Sequence, residues 1–276
     1  MSIIANTIAE RIAFEIFGVS VAWYGIIIVT GVIVALLVGV LLCKKRGLST
    51  DTPFELLVWC FPLAIIGARA YFCIFSGETY SFMEFIAIWN GGMAIYGGLI
   101  GGIIGIILYC VIRKKNFLQT LDLIAPCLII AQSIGRWGNF VNQEVYGLQI
   151  TDPSFQWFPF GVYIEALGEW HYATFFYESM LTLAGFFLLY FLFRKHLQKG
   201  VVLSAYLIYY GTVRFFLELL RAPSEILFIG DSGIPVSCVV SAVMVLVGVG
   251  YIVYLAINNK KTGQKFQVEK TQPRKG

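Results

Sequence analysis

The eleven lysines of this chain fall in four places, and each place directly follows an apolar run long enough to cross a bilayer. Runs of about 20 residues, sufficient for a hydrocarbon core of roughly 30 Å, occur near residues 20–42, 54–75, 92–112, 201–220 and 235–257. Shorter runs near 119–135 and 174–193 bring the expected number of spans to seven. The basic clusters are Lys44–Lys45–Arg46, Arg113–Lys114–Lys115, Arg194–Lys195 with Lys199, and the tail from Lys260 to Lys275. They follow the first, third, fifth and seventh runs, so every lysine belongs on one side of the membrane. Because basic loops stay cytoplasmic, the pattern predicts an all-α polytopic membrane protein of about seven transmembrane helices, N-terminus outside and C-terminus cytoplasmic.

Composition agrees. With 58% hydrophobic and 13% charged residues in 276, there is too little polar residue to cover a soluble surface. No basic stretch precedes the first long apolar run, which therefore reads as an uncleaved span rather than a signal peptide. Residues 1–18 are compatible with an amphipathic surface segment or a plain polar lead-in. One integral membrane domain over 1–258 is expected, with a small outer cap within 137–173 and a disordered basic tail over 259–276. The aromatics of the cap, Trp157, Phe158, Phe160, Tyr163, Trp170 and Tyr172, suit an interfacial belt. The six cysteines lie in or beside apolar runs without a C-x-x-C pair and read as small apolar groups.

Five basic residues lie outside the four clusters, and all are arginines: Arg11, Arg69, Arg136, Arg214 and Arg221. Four of them sit within or at the edge of an apolar run, where a charge is expensive unless paired or ligand-bound. On a helix, Tyr210, Arg214, Glu218 and Arg221 fall within an arc of about 80°, taking roughly 100° per residue. One glutamate does not neutralise both arginines. Arg136 heads a polar group with Asn139, Asn142 and Glu144, and Arg69 lies toward the same outer end of the second span. Guanidiniums converging at that depth suit a phosphate, which accepts paired N–H bonds, and apolar walls make a phospholipid headgroup the natural ligand. Gly97, Gly101 and Gly105 recur one helical turn apart and read as a face for close helix packing. Neighbouring Trp89, Asn90 and Tyr96 stand where a headgroup can be touched. There is no paired-aspartate metal motif, and the two histidines lack ligand spacing.

The stretch IGRWGNFVNQEVYG at 134–147 resembles the signature of the bacterial prolipoprotein diacylglyceryl transferases. WYG at 23–25, GAR at 67–69, GGMAIYGGLIG at 91–101, YES at 177–179 and YGTVRFFLELLR at 210–221 are similar to its other recurrent blocks, in order, over roughly residues 15–257. The resemblance implies a multi-pass enzyme of the bacterial plasma (inner) membrane, with its site open to the outer side. Such an enzyme moves the sn-1,2-diacylglyceryl group of phosphatidylglycerol onto the lipobox cysteine thiol of a prolipoprotein signal peptide. A thioether forms and glycerol 1-phosphate leaves. No metal, soluble cofactor or nucleic acid is implied.

By that resemblance Arg136, Arg214, Glu144, Tyr24 and Tyr96 are catalytic candidates. Arg136, Asn139, Tyr210, Arg214, Glu218, Arg69 and Arg221 are candidates for binding phosphatidylglycerol. The base for the thiol proton stays open. Tyr96 stands where the family often has histidine, and an unperturbed phenol near pKa 10 accepts no proton at neutral pH. Glu144, Tyr24 or a thiol acidified by the arginines are the alternatives. In HYATFFYES at 171–179 Tyr172 and Ala173 replace the family's histidine and proline, so His171 reads as a loop histidine; Cys238 replaces a usual glutamine. The alternative function is a phospholipid or anionic-headgroup transporter without chemistry, which needs polar groups along the whole depth rather than gathered at one end.

Overall fold

A computed structural model describes residues 12–16, 19–88, 91–195 and 197–262. Arg11, Trp89, Asn90, most of the 1–18 segment and the tail beyond Thr262 lie outside the described residues. Seven helices are long and apolar enough to span a membrane. These are α1 (Trp23–Arg46), α2 (Thr52–Phe75), α4 (Ile95–Ile112), α5 (Phe117–Asn142), α6 (Thr174–Arg194), α7 (Val201–Glu218) and α8 (Val236–Thr262). A short α3 (Phe82–Ile86) sits between α2 and α4, its start fixed by a reciprocal capping box between Ser81 and Glu84. The described part of the N-terminal segment, Ile12–Ile16, is strand β1, paired antiparallel with β2 (Val19–Ala22).

Helix ends follow local chemistry. Gly47 closes α1 in the left-handed region at φ 66°, its N–H reaching the carbonyls of Cys43 and Lys44. Pro53 opens α2, where its missing N–H is no loss. The Asn116 side chain accepts from Gln119 N at the start of α5. The main difference from expectation is the far end of α5. Helix continues through Asn142, so Arg136, Asn139 and Asn142 lie on its last two turns. Hydropathy ends the span at 135 because it registers polar side chains, while the backbone has no reason to stop before Gln143 at φ 51°.

Two helix groups make up the bundle. In the first, α2 and α4 pack backbone to backbone: a Cβ on Gly105 would lie 2.8 Å from Cys60 Cα, and one on Gly101 would run into the Leu63 carbonyl. The second comprises α1, α5, α6, α7 and α8, with a core of Leu42, Leu123, Ile129, Leu189, Phe193 and Val202. Contact between the groups is thin and includes Leu56, Tyr109 and Cys110 against Ile124 near the lysine-bearing end. An apolar cleft of about 360 Å³ separates them, walled by α1, α2, α4 and α5.

At the lysine-bearing end, Asp122 accepts from Gly200 N (2.7 Å) and Leu203 N (2.8 Å), capping α7 from another helix. Arg46 donates twice to the Phe193 carbonyl, closing α6. At the opposite end, β3 (Gly161–Ile164) and β4 (Glu169–Tyr172) form an antiparallel hairpin. Residues 146–150 are threaded between this hairpin and residues 220–222. Gly147 N donates to Tyr172 O (2.9 Å), Ile150 N to Trp170 O (2.7 Å) and Leu148 N to Leu220 O (2.8 Å). The chain leaving α5 is thereby tied to the chain leaving α7.

Candidate functional site

Seven alternating spans bring the end of α5, the start of α6 and the end of α7 to the same lysine-poor end. The backbone ties just described hold those three termini together, and their polar side chains face one another. Glu178, one turn into α6 and only 3% exposed, lies at the centre. Its Oε1 accepts from Arg136 Nη2 at 2.6 Å and its Oε2 from Arg214 Nη1 at 3.0 Å. The Tyr210 hydroxyl also donates to Oε1, at 3.3 Å. On α7 the spacing of four residues puts Arg214 Nη2 at 2.7 Å from Glu218 Oε2. That same oxygen takes Arg221 Nη1 at 3.2 Å. Arg221 is not on the helix as expected, since α7 ends at Glu218. It reaches back from the turn that pairs with Gly147.

From Arg136 the network continues outward. Its Nη1 donates to Asn139 Oδ1 (3.2 Å), and Asn139 Nδ2 donates to Glu144 Oε1 (2.8 Å). Asn142 Nδ2 reaches the same oxygen at 3.4 Å. Next to Glu144, Val145 adopts φ 60°, a left-handed conformation that a β-branched residue rarely accepts. It is held there by Glu225, which accepts from its N–H (3.1 Å), and by Thr174, which donates to its carbonyl (2.7 Å). Such strain survives only where the surroundings impose it, and here it aims the Glu144 side chain back at Asn139. Tyr24, at the start of α1, packs over Gly138, where a Cβ would lie 2.7 Å from the ring. It is within electrostatic reach of Glu144 and Arg136.

Arg69, expected to converge on this cluster, has no hydrogen bond or ion pair to it among the described residues. Buried on α2, it donates to the carbonyls of Glu84 (2.6 Å), Phe85 (3.1 Å), Gly91 (2.7 Å) and Gly92 (3.0 Å). The guanidinium closes the end of α3 and the turn after it, so its fork is filled with backbone oxygen. Tyr96, one residue into α4, is 38% exposed with its ring 6.4 Å from that of Tyr71, and among the described residues no hydrogen bond joins it to the cluster. His171 is a buried residue of β4 and not a loop histidine; its Nδ1 bonds the Gly147 carbonyl at 2.8 Å. Cys238, at the start of α8, lies within electrostatic reach of Glu218 and Arg214.

Glu178 is the residue that sequence reasoning missed. It stood in the YES block, yet the charge count that found the arginines was a count of cations. A carboxylate in an apolar run is as costly as a guanidinium, so the same count applied to acids finds it.

Arg136, Arg214 and Arg221 face Glu178 and Glu218, three cations on two carboxylates, and Asn139 links Arg136 onward to a third carboxylate, Glu144. Burial first, and then the neighbouring Arg214, push the Arg221 guanidinium below the ordinary arginine pKa. The cluster is thus ordered by its own ion pairs. Paired guanidiniums of this kind match the geometry in which a phosphate accepts N–H bonds.

Comparison with known proteins gives the family. The family model described as prolipoprotein diacylglyceryl transferase matches residues 11–254. A protein of Clostridium perfringens named phosphatidylglycerol–prolipoprotein diacylglyceryl transferase 1 is 40% identical over 259 residues, covering 91% of this chain and 96% of its own. Proteins named phosphatidylglycerol–prolipoprotein diacylglyceryl transferase from Listeria monocytogenes serotype 4a and Finegoldia magna are 38% and 41% identical, over 89% and 87% of this chain and 89% and 93% of theirs.

Proposed function

Since the chain belongs to the prolipoprotein diacylglyceryl transferase family, we propose that the arginine–glutamate cluster is where it works on phosphatidylglycerol. The protein is a multi-pass bacterial membrane enzyme that transfers the diacylglyceryl group of phosphatidylglycerol to prolipoproteins. The acceptor is the thiol of the lipobox cysteine in the signal peptide, and the site faces outward, opposite the lysine-bearing loops.

One observation carries the assignment: Glu178 holds Arg136 and Arg214 side by side, each with further N–H groups. In the reaction the cysteine sulfur attacks the glycerol carbon bearing the phosphate. The new C–S bond replaces the C–O bond, the thiol proton passes to a base, and glycerol 1-phosphate departs with the bonding electrons. Charge grows on the phosphate oxygen as the bond breaks, and preorganised guanidiniums lower that barrier most. Arg136 and Arg214 serve the phosphate, Arg221, paired with Glu218, adds a third cation, and Asn139, Tyr210, Glu178 and Glu218 hold the set in place. Glu144 and Tyr24, within electrostatic reach of each other and of Arg136, are the candidates for the thiol proton. Arg69 holds the α3 segment and touches no substrate.

Purified protein incubated with phosphatidylglycerol and a lipobox peptide, followed by mass spectrometry, tests this. The wild type adds a diacylglyceryl group to the peptide cysteine. Folded Arg136→Ala and Arg214→Ala proteins lose about 100-fold or more in rate, as expected when a donor to developing charge is removed. Near-normal transfer by either variant sinks the assignment.

A further inference from the structure

One turn deeper in the bundle lies a second polar pair that the reaction as described does not use. Gln132 precedes Arg136 by four residues on α5, and Tyr206 precedes Tyr210 by four on α7. Gln132 Nε2 donates to the Tyr206 hydroxyl at 3.1 Å, so the two helices are pinned directly beneath the point where Arg136 and Tyr210 converge on Glu178. The Tyr206 ring, 7% exposed, lies nearly parallel to that of Tyr210, with centroids 5.5 Å apart and planes 8° apart.

Packing alone gives no reason for these two residues. Phenylalanine at 206 and an aliphatic side chain at 132 would fill the same space without burying a hydroxyl and an amide in an apolar bundle. The polar pair is not even fully satisfied, because Gln132 Oε1 is buried without a hydrogen-bond partner among the described residues. A buried polar atom kept under those conditions calls for an explanation other than stability.

We propose that Gln132 and Tyr206 are positioning residues for the transfer reaction, acting through Tyr210 on Glu178. A ring lying flat on another turns only if its neighbour turns too. Tyr206 is anchored to α5 by the amide, and Tyr210 is therefore fixed on α7. The Tyr210 hydroxyl in turn holds Glu178 Oε1, the atom that receives Arg136. This hold matters most in the transition state. As phosphate draws Arg136 and Arg214 toward itself, the carboxylate between them loses part of its grip, and the phenol keeps it from following.

The inference rests on the reading that Arg136 and Arg214 serve the phosphate, and the test separates the two. Tyr206→Phe keeps the ring stack and removes the hydroxyl; Gln132→Met keeps the shape and removes the amide. Both variants and their double are purified beside Arg136→Ala, with thermal stability measured for each. The positioning role predicts a fall in kcat of roughly five- to tenfold for either single variant, with KM for phosphatidylglycerol within about twofold of wild type. It also predicts a double variant no worse than either single, because the pair acts as one unit. A Tyr206→Phe protein with wild-type kcat overturns the inference, as does a double variant whose loss is the product of the two single losses. A rise in KM alone, or a loss of thermal stability without a fall in kcat, assigns the pair to binding or packing and overturns it too. An active Arg136→Ala protein instead removes the reading beneath it.

Discussion

Glu178 carries two guanidiniums on one buried carboxylate, so the cost of neutralising it is shared by the site and the fold. Glu178→Gln keeps the shape but leaves Arg136 and Arg214 without their shared counter-charge in a largely buried setting. Breaking a buried pair by removing one partner destabilises by about 3–5 kcal/mol. The expected outcome is a protein of clearly lower thermal stability in detergent and strongly reduced transfer. A variant that is catalytically dead but as stable as wild type would mean that the carboxylate is not the structural hub. At this scale the sequence was informative about cations and less so about their partners. Arginine in an apolar run announces itself, and Arg136, Arg214 and Arg221 were found that way. The four carbonyls around Arg69 come from the end of α3 and from Gly91 and Gly92 beyond it, a meeting that no residue pattern specifies, so its burial among backbone oxygens could not be read. The φ of Val145 was equally hidden, since it is imposed by Glu225, 80 residues further along the chain.

Among the elements, α2 and α4 pack backbone to backbone. Gly97, Gly101 and Gly105 let α4 lie against the backbone of α2, and Arg69 fastens the intervening α3 segment to the same pair. A leucine at Gly101 meets the Leu63 main chain, which has no side-chain freedom with which to yield. Overpacking of this kind costs about 1–3 kcal/mol where neighbours adjust, and more where they cannot. Gly101→Leu should therefore leave little folded protein, measured as the monodisperse fraction after extraction. Gly250→Leu, in an apolar helix with nothing within 4 Å, should behave as wild type. Equal recovery of both variants would show that the helices are not in backbone contact. The glycine face was legible from spacing alone. Its partner was not, because a smooth face fits any neighbour, and the match with Gly67 appears only once the helices are paired.

For the whole molecule, the lysine pattern and the helix directions make one prediction about sidedness. In a chain whose native cysteines are replaced by serine, Ser154→Cys should react with an impermeant maleimide in intact cells. Asp51→Cys should react only after the membrane is opened. The reverse result would put the site on the cytoplasmic side. The number of spans could be read because hydropathy and charge are independent signals with the same period. The end of α5 and the knitting of 146–150 between two distant segments could not, since both depend on tertiary pairing.

The nearly neutralised arginine cluster also decides which anions can settle there. A free phosphate or sulfate must compete with Glu178 and Glu218 for guanidiniums already at 2.6–3.2 Å from carboxylate oxygen, and it brings only its charge. A phosphate carried on a lipid arrives already concentrated in the membrane, held there by about 0.8 kcal/mol for each CH₂ kept from water. On the proposed assignment, the internal ion pairs therefore favour a phosphate that comes in on a lipid over one that comes from solution.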